Sequence, residues 1–265
     1  MNELAGPGDD PISVSRDGAI ATVLLDRPQR ANAMDARFFE SMSAALRGIA
    51  TDESIRAVVL AGEGKHFCAG GDLRHPLFDE PDADARRPQI QAAYDVTEQL
   101  LDLDVPVVCA IQGRVAGAAT ALVLASDIRI AAPSTVFSLD FVRLGLSPDM
   151  GVCWLLTPAI GTSRALEMAL SGDFVDAETA HAWGLVSKVV DEGGQREVAI
   201  ETAQRLAQHP RAGMAAIRRL VRNAHTMPRA EGFAAEIRSM NSLIATADAQ
   251  GRLAVFRSRA TRGAS

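Results

Sequence analysis

The feature that most constrains this chain is a buried-looking run, Ala57-Val58-Val59-Leu60, that ends in glycine rather than in a polar loop. Apolar and β-branched residues bounded by glycine read as a short strand covered on both faces. The turn that follows runs Phe67-Cys-Ala-Gly-Gly-Asp-Leu73. Small residues there let another molecule approach bare backbone, and exposed N–H groups can hold an oxyanion. A second strand of the same kind, within Val105 to Ile111, leads to the small-residue turn Val115-Ala-Gly-Ala-Ala119 and then a helix over Thr120 to Ser126. Two such turns, each aiming one N–H at a common point, would form a two-donor hole.

The rest of the chain alternates strand and helix. Two strands over 12–16 and 19–25 are joined by a turn at Asp17-Gly18. Asp35 is placed to cap a helix from Ala36 to about Ala50. Residues 74–90, rich in Pro, Asp and Arg, read as a polar loop before a helix from Ile90 to Leu103. A strand at 127–132 follows, then helices over 155–160 and 164–170. Asp176 caps a helix ending at Gly184, and 186–190 is a short strand. From Gln195 the pattern is helical only, with helices over 197–208, 211–223 and 229–256 separated at Pro210 and Pro228.

Charge and cysteines narrow the function classes. The net charge of −6 argues against nucleic acid as a partner and requires local Lys or Arg for any polyphosphate. The three cysteines, Cys68, Cys109 and Cys153, fit neither a zinc pattern nor a disulfide framework and are expected to be buried thiols. The histidines make no metal set, so no metal is expected. The polar, acidic start and the lack of an apolar run near ~20 residues lead to the expectation of a soluble, cytoplasmic protein with no membrane partner.

Taken together, Leu25-Asp-Arg-Pro, Asn32-Ala-Met, the Ala61 to Leu73 block, Pro106 to Ala119, Ser126 to Ala132, Arg143-Leu-Gly-Leu-Ser-Pro-Asp149 and Trp183 to Val190 resemble the crotonase superfamily, the enoyl-CoA hydratase/isomerase family. The likeness covers roughly residues 12 to 260. It implies an α/β fold with a crotonase-like ββα spiral core and a C-terminal helical trimerisation part. Its division here would be a flexible tail (1–11), a core that binds acyl-CoA (12–194) and a helical cap that builds trimers or dimers of trimers (195–265). No cofactor is implied beyond the coenzyme A of the substrate thioester.

The resemblance also assigns site residues. The hole donors would be the backbone N–H groups of Gly71 and Ala118, holding the enolate oxygen of an enoyl-CoA. Hydratases of the family carry two glutamates, and the matching positions here are Ala121 and Phe141. Asp140, next door, is expected to point away on an extended segment. One acid remains, Asp149, at the place where dienoyl-CoA isomerases of the family carry a catalytic Asp. An apolar setting would raise its pKa and suit it to carry a proton, and the competing reading is a helix N-cap. A single acid beside a dry Phe141 fits a double-bond shift better than hydration. Hydratase and non-catalytic acyl-CoA binder are the alternatives. Dehalogenation would need a His at Tyr94 and a Trp at Phe141. Arg74, Arg27 and Arg30 are assigned to CoA phosphates, and the backbone at Ala69, Asp72 and Leu73 to the adenine. Tyr94 is a core or pocket residue with a polar tip, and Phe256 lies in a tail segment that can reach a neighbour's CoA.

Overall fold

The computed structural model describes residues 10–262, so the tail expected over 1–11 lies outside the described residues except for its last two. Of these, Pro11 already accepts a hydrogen bond from Asp26 N–H at 2.8 Å.

Strands β1 (Ile12–Asp17) and β2 (Ile20–Leu25) form the antiparallel hairpin, turning at Gly18 with φ +55°. Helix α1 (Ala36–Thr51) follows, capped by the Asp35 carboxylate accepting Phe38 N–H at 3.0 Å. Next come β3 (Ala57–Gly62), α2 (Ala83–Asp102), β4 (Val107–Ile111), β5 (Arg114–Ala116), α3 (Ala119–Ala125), β6 (Ile128–Ala131) and β7 (Val136–Ser138). Then come α4 (Val152–Ile160), α5 (Thr162–Ser171), β8 (Val175–Asp176), α6 (Ala177–Trp183) and β9 (Lys188–Val189). Helices α7 (Gln195–Ala207), α8 (Arg211–Asn223), α9 (Arg229–Ile244) and α10 (Ala247–Arg262) close the chain.

The main sheet has the order β1-β2-β3-β4-β6-β9, parallel from β2 onward, and a small second sheet has the order β5-β7-β8. Every residue of β3 and β4 is buried because this parallel sheet is covered on both faces. The period of two sends Val58 and Leu60 to one side, where they join Phe38, Met42, Leu46 and Leu100 in the larger core. Ala57, Val59, Ala61, Val108 and Ala110 face the other way, against Ala199 and Ala203 of α7. Alanines on both surfaces let that helix approach closely. The first helix after residue 195 is therefore a layer of the core.

Helix α8 is tied down through one carboxylate. Asp127 Oδ2 accepts Arg218 Nε at 2.7 Å and Val107 N–H at 2.8 Å, while Oδ1 accepts Arg222 at 2.7 Å. Beyond it, α9 buries none of its residues, and Phe233, Ile237 and Met240 are exposed.

Three expectations are corrected. The polar loop over 74–90 ends at Asp82, whose side chain accepts Asp84 N–H and starts α2 seven residues early, with Pro88 inside the helix. The single helix over 229–256 is two, because Thr246 Oγ1 bonds the Leu243 carbonyl and accepts Ala249 N–H, capping α10. Cys68 and Cys109 are buried, but Cys153 is exposed on α4. Among the described residues no helix is long and apolar enough to cross a membrane.

Candidate active site

The first turn is held from three sides. Met34 N–H donates to Gly70 O at 2.8 Å and Asp72 N–H donates to Met34 O at 2.8 Å. Cys68 and β5 exchange two hydrogen bonds, Cys68 N–H to Arg114 O and Ala116 N–H to Cys68 O, each 3.1 Å. Asn32 binds the whole approach: its Nδ2 reaches the carbonyls of Glu63, His66 and Phe67 at 2.9–3.0 Å, and its Oδ1 accepts Arg27 N–H. Gly70 sits at φ +89°, a conformation that favours glycine. The strand-like bridge between Met34 and Gly71 uses the neighbours' polar groups and leaves the Gly71 N–H without an acceptor among the described residues.

The second turn has the same character. Gly117 N–H donates to Ser138 O at 2.8 Å, and the Gly117 and Ala118 carbonyls accept from Thr120 and Ala121 as α3 begins. Ala118, at φ −62°, is the N-cap residue, and its N–H has no acceptor among the described residues either. Gly71 and Ala118 line one cavity of about 280 Å³, together with Asp149 and Met150. Its other walls are Met34, Phe39, Leu77, Phe78 and Ile90, with Glu40, His75 and Gln89 also lining it. Phe78 stands over the first donor: its Cζ lies 3.7 Å from where a Gly71 Cβ would be.

Asp149 precedes two residues with positive φ, Met150 at +50° and Gly151 at +78°. Helix α4 starts with Gly151 as its N-cap residue and no side-chain cap, so the cap reading of Asp149 is overturned. The Asp149 backbone carbonyl accepts Val152 N–H, while its Oδ1 is buried with no hydrogen-bond partner among the described residues. Burial pushes this carboxyl above its ordinary range. The other carboxylates of the cavity differ. Burial alone would raise Asp35, but hydrogen bonds from Arg27 and Phe38 N–H outweigh it and hold Asp35 low. Glu40 is exposed to solvent.

The remaining expected residues divide. Ala121 is fully buried in α3, and the Phe141 ring packs 3.6 Å from where a Gly117 Cβ would stand. Asp140 turns away, accepting Ser138 Oγ–H at 2.8 Å and pairing with Arg114. Arg30 and Arg74 flank the buried Asp72 at 3.7 and 2.8 Å and are themselves exposed. The Arg74 hydrogen bond holds the Asp72 carboxyl below its usual range. Leu73 is exposed and Ala69 half-buried, on the rim of the same turn. Arg27 is buried instead, bonded to Asp35 at 2.5 Å and to the Ala33 carbonyl, and holds the Asn32 turn rather than facing solvent. Tyr94, on α2 one turn beyond Ile90, lies outside the cavity; burial and then the nearby Asp149 carboxylate raise its phenol. Phe256 is 73% exposed on α10 and lies in a groove between α8, α9 and α10, away from Gly71 and Asp149.

His75 and Phe78 were not singled out from the sequence. His75 caps and Phe78 ends a short 3-10 turn, Pro76–Phe78, whose residues carry no periodic signal. Asn32 was visible only as part of a motif.

Comparison with known proteins gives the following. The family described as "Enoyl-CoA hydratase/isomerase" matches residues 15–261. A 1,2-epoxyphenylacetyl-CoA isomerase of Escherichia coli is 36% identical over 212 residues, 78% of this chain and 80% of that one. A carnitinyl-CoA dehydratase of Salmonella typhi is 33% identical over 226 residues, 84% and 85% of the two chains. The crystal structure of an enoyl-CoA hydratase from Bacillus anthracis superposes with a TM-score of 0.88 at 29% identity, covering 94% of this chain and 96% of that one.

Proposed function

The chain belongs to the enoyl-CoA hydratase/isomerase family and is an acyl-CoA enzyme with the crotonase fold, and we propose that its reaction is the movement of a double bond along an enoyl-CoA. The observation that carries this reading is Asp149: a half-buried side chain with one buried carboxylate oxygen unpartnered among the described residues, lining the cavity that Gly71 and Ala118 also line.

The Gly71 and Ala118 N–H groups take the thioester oxygen. Asp149 removes a proton from C2 of a 3-enoyl-CoA, and the electron pair spreads into a dienolate whose oxygen the two donors hold. The same carboxyl, now protonated, returns the proton to C4, and the double bond lies between C2 and C3. Each donor is worth about 3 kcal/mol in the barrier. The raised affinity of Asp149 for a proton matches a group that must both accept and release one. Water addition in this family draws on two acids, and their places are held by a buried alanine and a phenyl ring.

Arg30 and Arg74 are the exposed cations nearest the first turn and would meet CoA phosphates. The uncovered apolar surface of α9 suits the trimer that the resemblance implies, and Phe256 would act only there, at a neighbour's site.

Hydration is the second reading. Relatives named as a dehydratase and hydratases favour it, as does Glu40, a second carboxylate lining the cavity. Proton NMR of the products from 3-hexenoyl-CoA and 2-hexenoyl-CoA decides between them. Migration of the double bond supports the proposal. A hydroxyacyl product without migration replaces it with hydration, and binding with no turnover of either ester supports a non-catalytic protein.

A further inference from the structure

The cavity beside Asp149 is mostly apolar, yet one half-buried wall residue carries a ring N–H with no acceptor among the described residues. His75 caps the Pro76–Phe78 turn, and its Nδ1 accepts Leu77 N–H at 3.2 Å. A ring nitrogen that accepts carries no proton, so the ring hydrogen sits on Nε2. Among the described residues, no group accepts from Nε2. The ring is oriented by its own backbone cap and shares the cavity wall with Leu77, Phe78 and Ile90. An oriented donor in a mostly apolar wall is how a pocket recognises one oxygen of a ligand.

The charge of the cavity limits which oxygen. Glu40 and Asp149 line it as well, so a free carboxylate on the acyl chain would be repelled. We propose that His75 is a specificity-determining residue, whose Nε2–H reads a neutral oxygen, a keto or hydroxyl group, carried on the acyl chain beyond the carbons that react. This inference rests on the reading of the cavity as the acyl site and deepens it by naming the class of acyl group.

The test is titration calorimetry with hexanoyl-CoA, its 5-oxo and 6-oxo forms, and adipoyl-CoA. These saturated esters cannot undergo a double-bond shift, so the result is independent of whether the isomerase reading holds. One of the oxo forms should bind about tenfold more tightly than hexanoyl-CoA, the worth of one well-placed hydrogen bond. Adipoyl-CoA should bind more weakly than either. His75→Phe, checked for an unchanged melting profile, should erase the gap, and His75→Gln, which keeps an N–H near the Nε2 position, should restore part of it. Equal affinity for hexanoyl-CoA and both oxo forms in the natural protein would overturn the proposal. So would a gap that survives in His75→Phe.

Discussion

A methyl group placed on Gly70 would lie 2.7 Å from the carbonyl oxygen of Ala116. That approach joins the two turns that carry Gly71 and Ala118, the proposed donors, so it also sets the spacing between them. Gly70→Ala meets both the contact and the strain of φ +89°. It should cost about 1–3 kcal/mol in urea unfolding and lower kcat more than it raises KM, because the donors shift relative to each other.

Arg27 is a structural residue by its surroundings. Its guanidinium bonds Asp35 at 2.5 Å, and both side chains are largely shielded from solvent. Arg27→Met would leave the carboxylate without its main partner and should cost about 3 kcal/mol in urea unfolding. Arg27→Met combined with Asp35→Asn should recover part of that loss. A substrate-binding role alone would instead raise KM and leave the unfolding midpoint unchanged.

Ala118 already has φ −62°, the angle proline prefers, at a helix N-cap. Ala118→Pro therefore deletes the N–H with little backbone change. The expected loss in kcat is about 100- to 1000-fold, with the melting temperature close to that of the natural protein.

Asp149 makes stability depend on pH with a definite sign. Its folded pKa is raised above 3.8 by burial, so the folded state binds the proton more tightly than the unfolded chain. Stability then falls as pH rises from about 3.8 through the raised folded value, and is level above it. Asp149→Asn should therefore melt higher than the natural protein at pH 8, and that advantage should shrink as pH approaches 4. A constant difference across this range would mean that the carboxyl is not buried as described.

Much of this arrangement is legible in the residues, and the parts that are not have identifiable causes. The strands around Val58 and Val108 are uniformly apolar because a doubly covered sheet requires it. Pro210 marks the start of α8 correctly, since proline suits a position just before a helix. The start of α2 was hidden because Pro88 and the charged run 83–87 look like a loop. The Asp82 cap and the exposed Arg87–Asp84 pair support a helix that faces solvent. The break before α10 depends on one hydroxyl, that of Thr246, within a continuous helical pattern. Asp149 could be found from its place in a motif, but the choice between cap and free carboxyl depended on where α4 begins. His75 and Phe78 reach the cavity through the path of a loop, which local pattern does not encode.

The central claim is that Asp149 carries one proton between two carbons of an acyl-CoA held by Gly71 and Ala118. Liquid chromatography with mass spectrometry of 3-hexenoyl-CoA incubated in D₂O with the natural protein and with Asp149→Asn tests it directly. The double bond should shift with little deuterium in the product, because the proton taken from C2 is the one returned to C4, and the shift should be about 1000-fold slower in the variant. Migration at an undiminished rate in Asp149→Asn would contradict it.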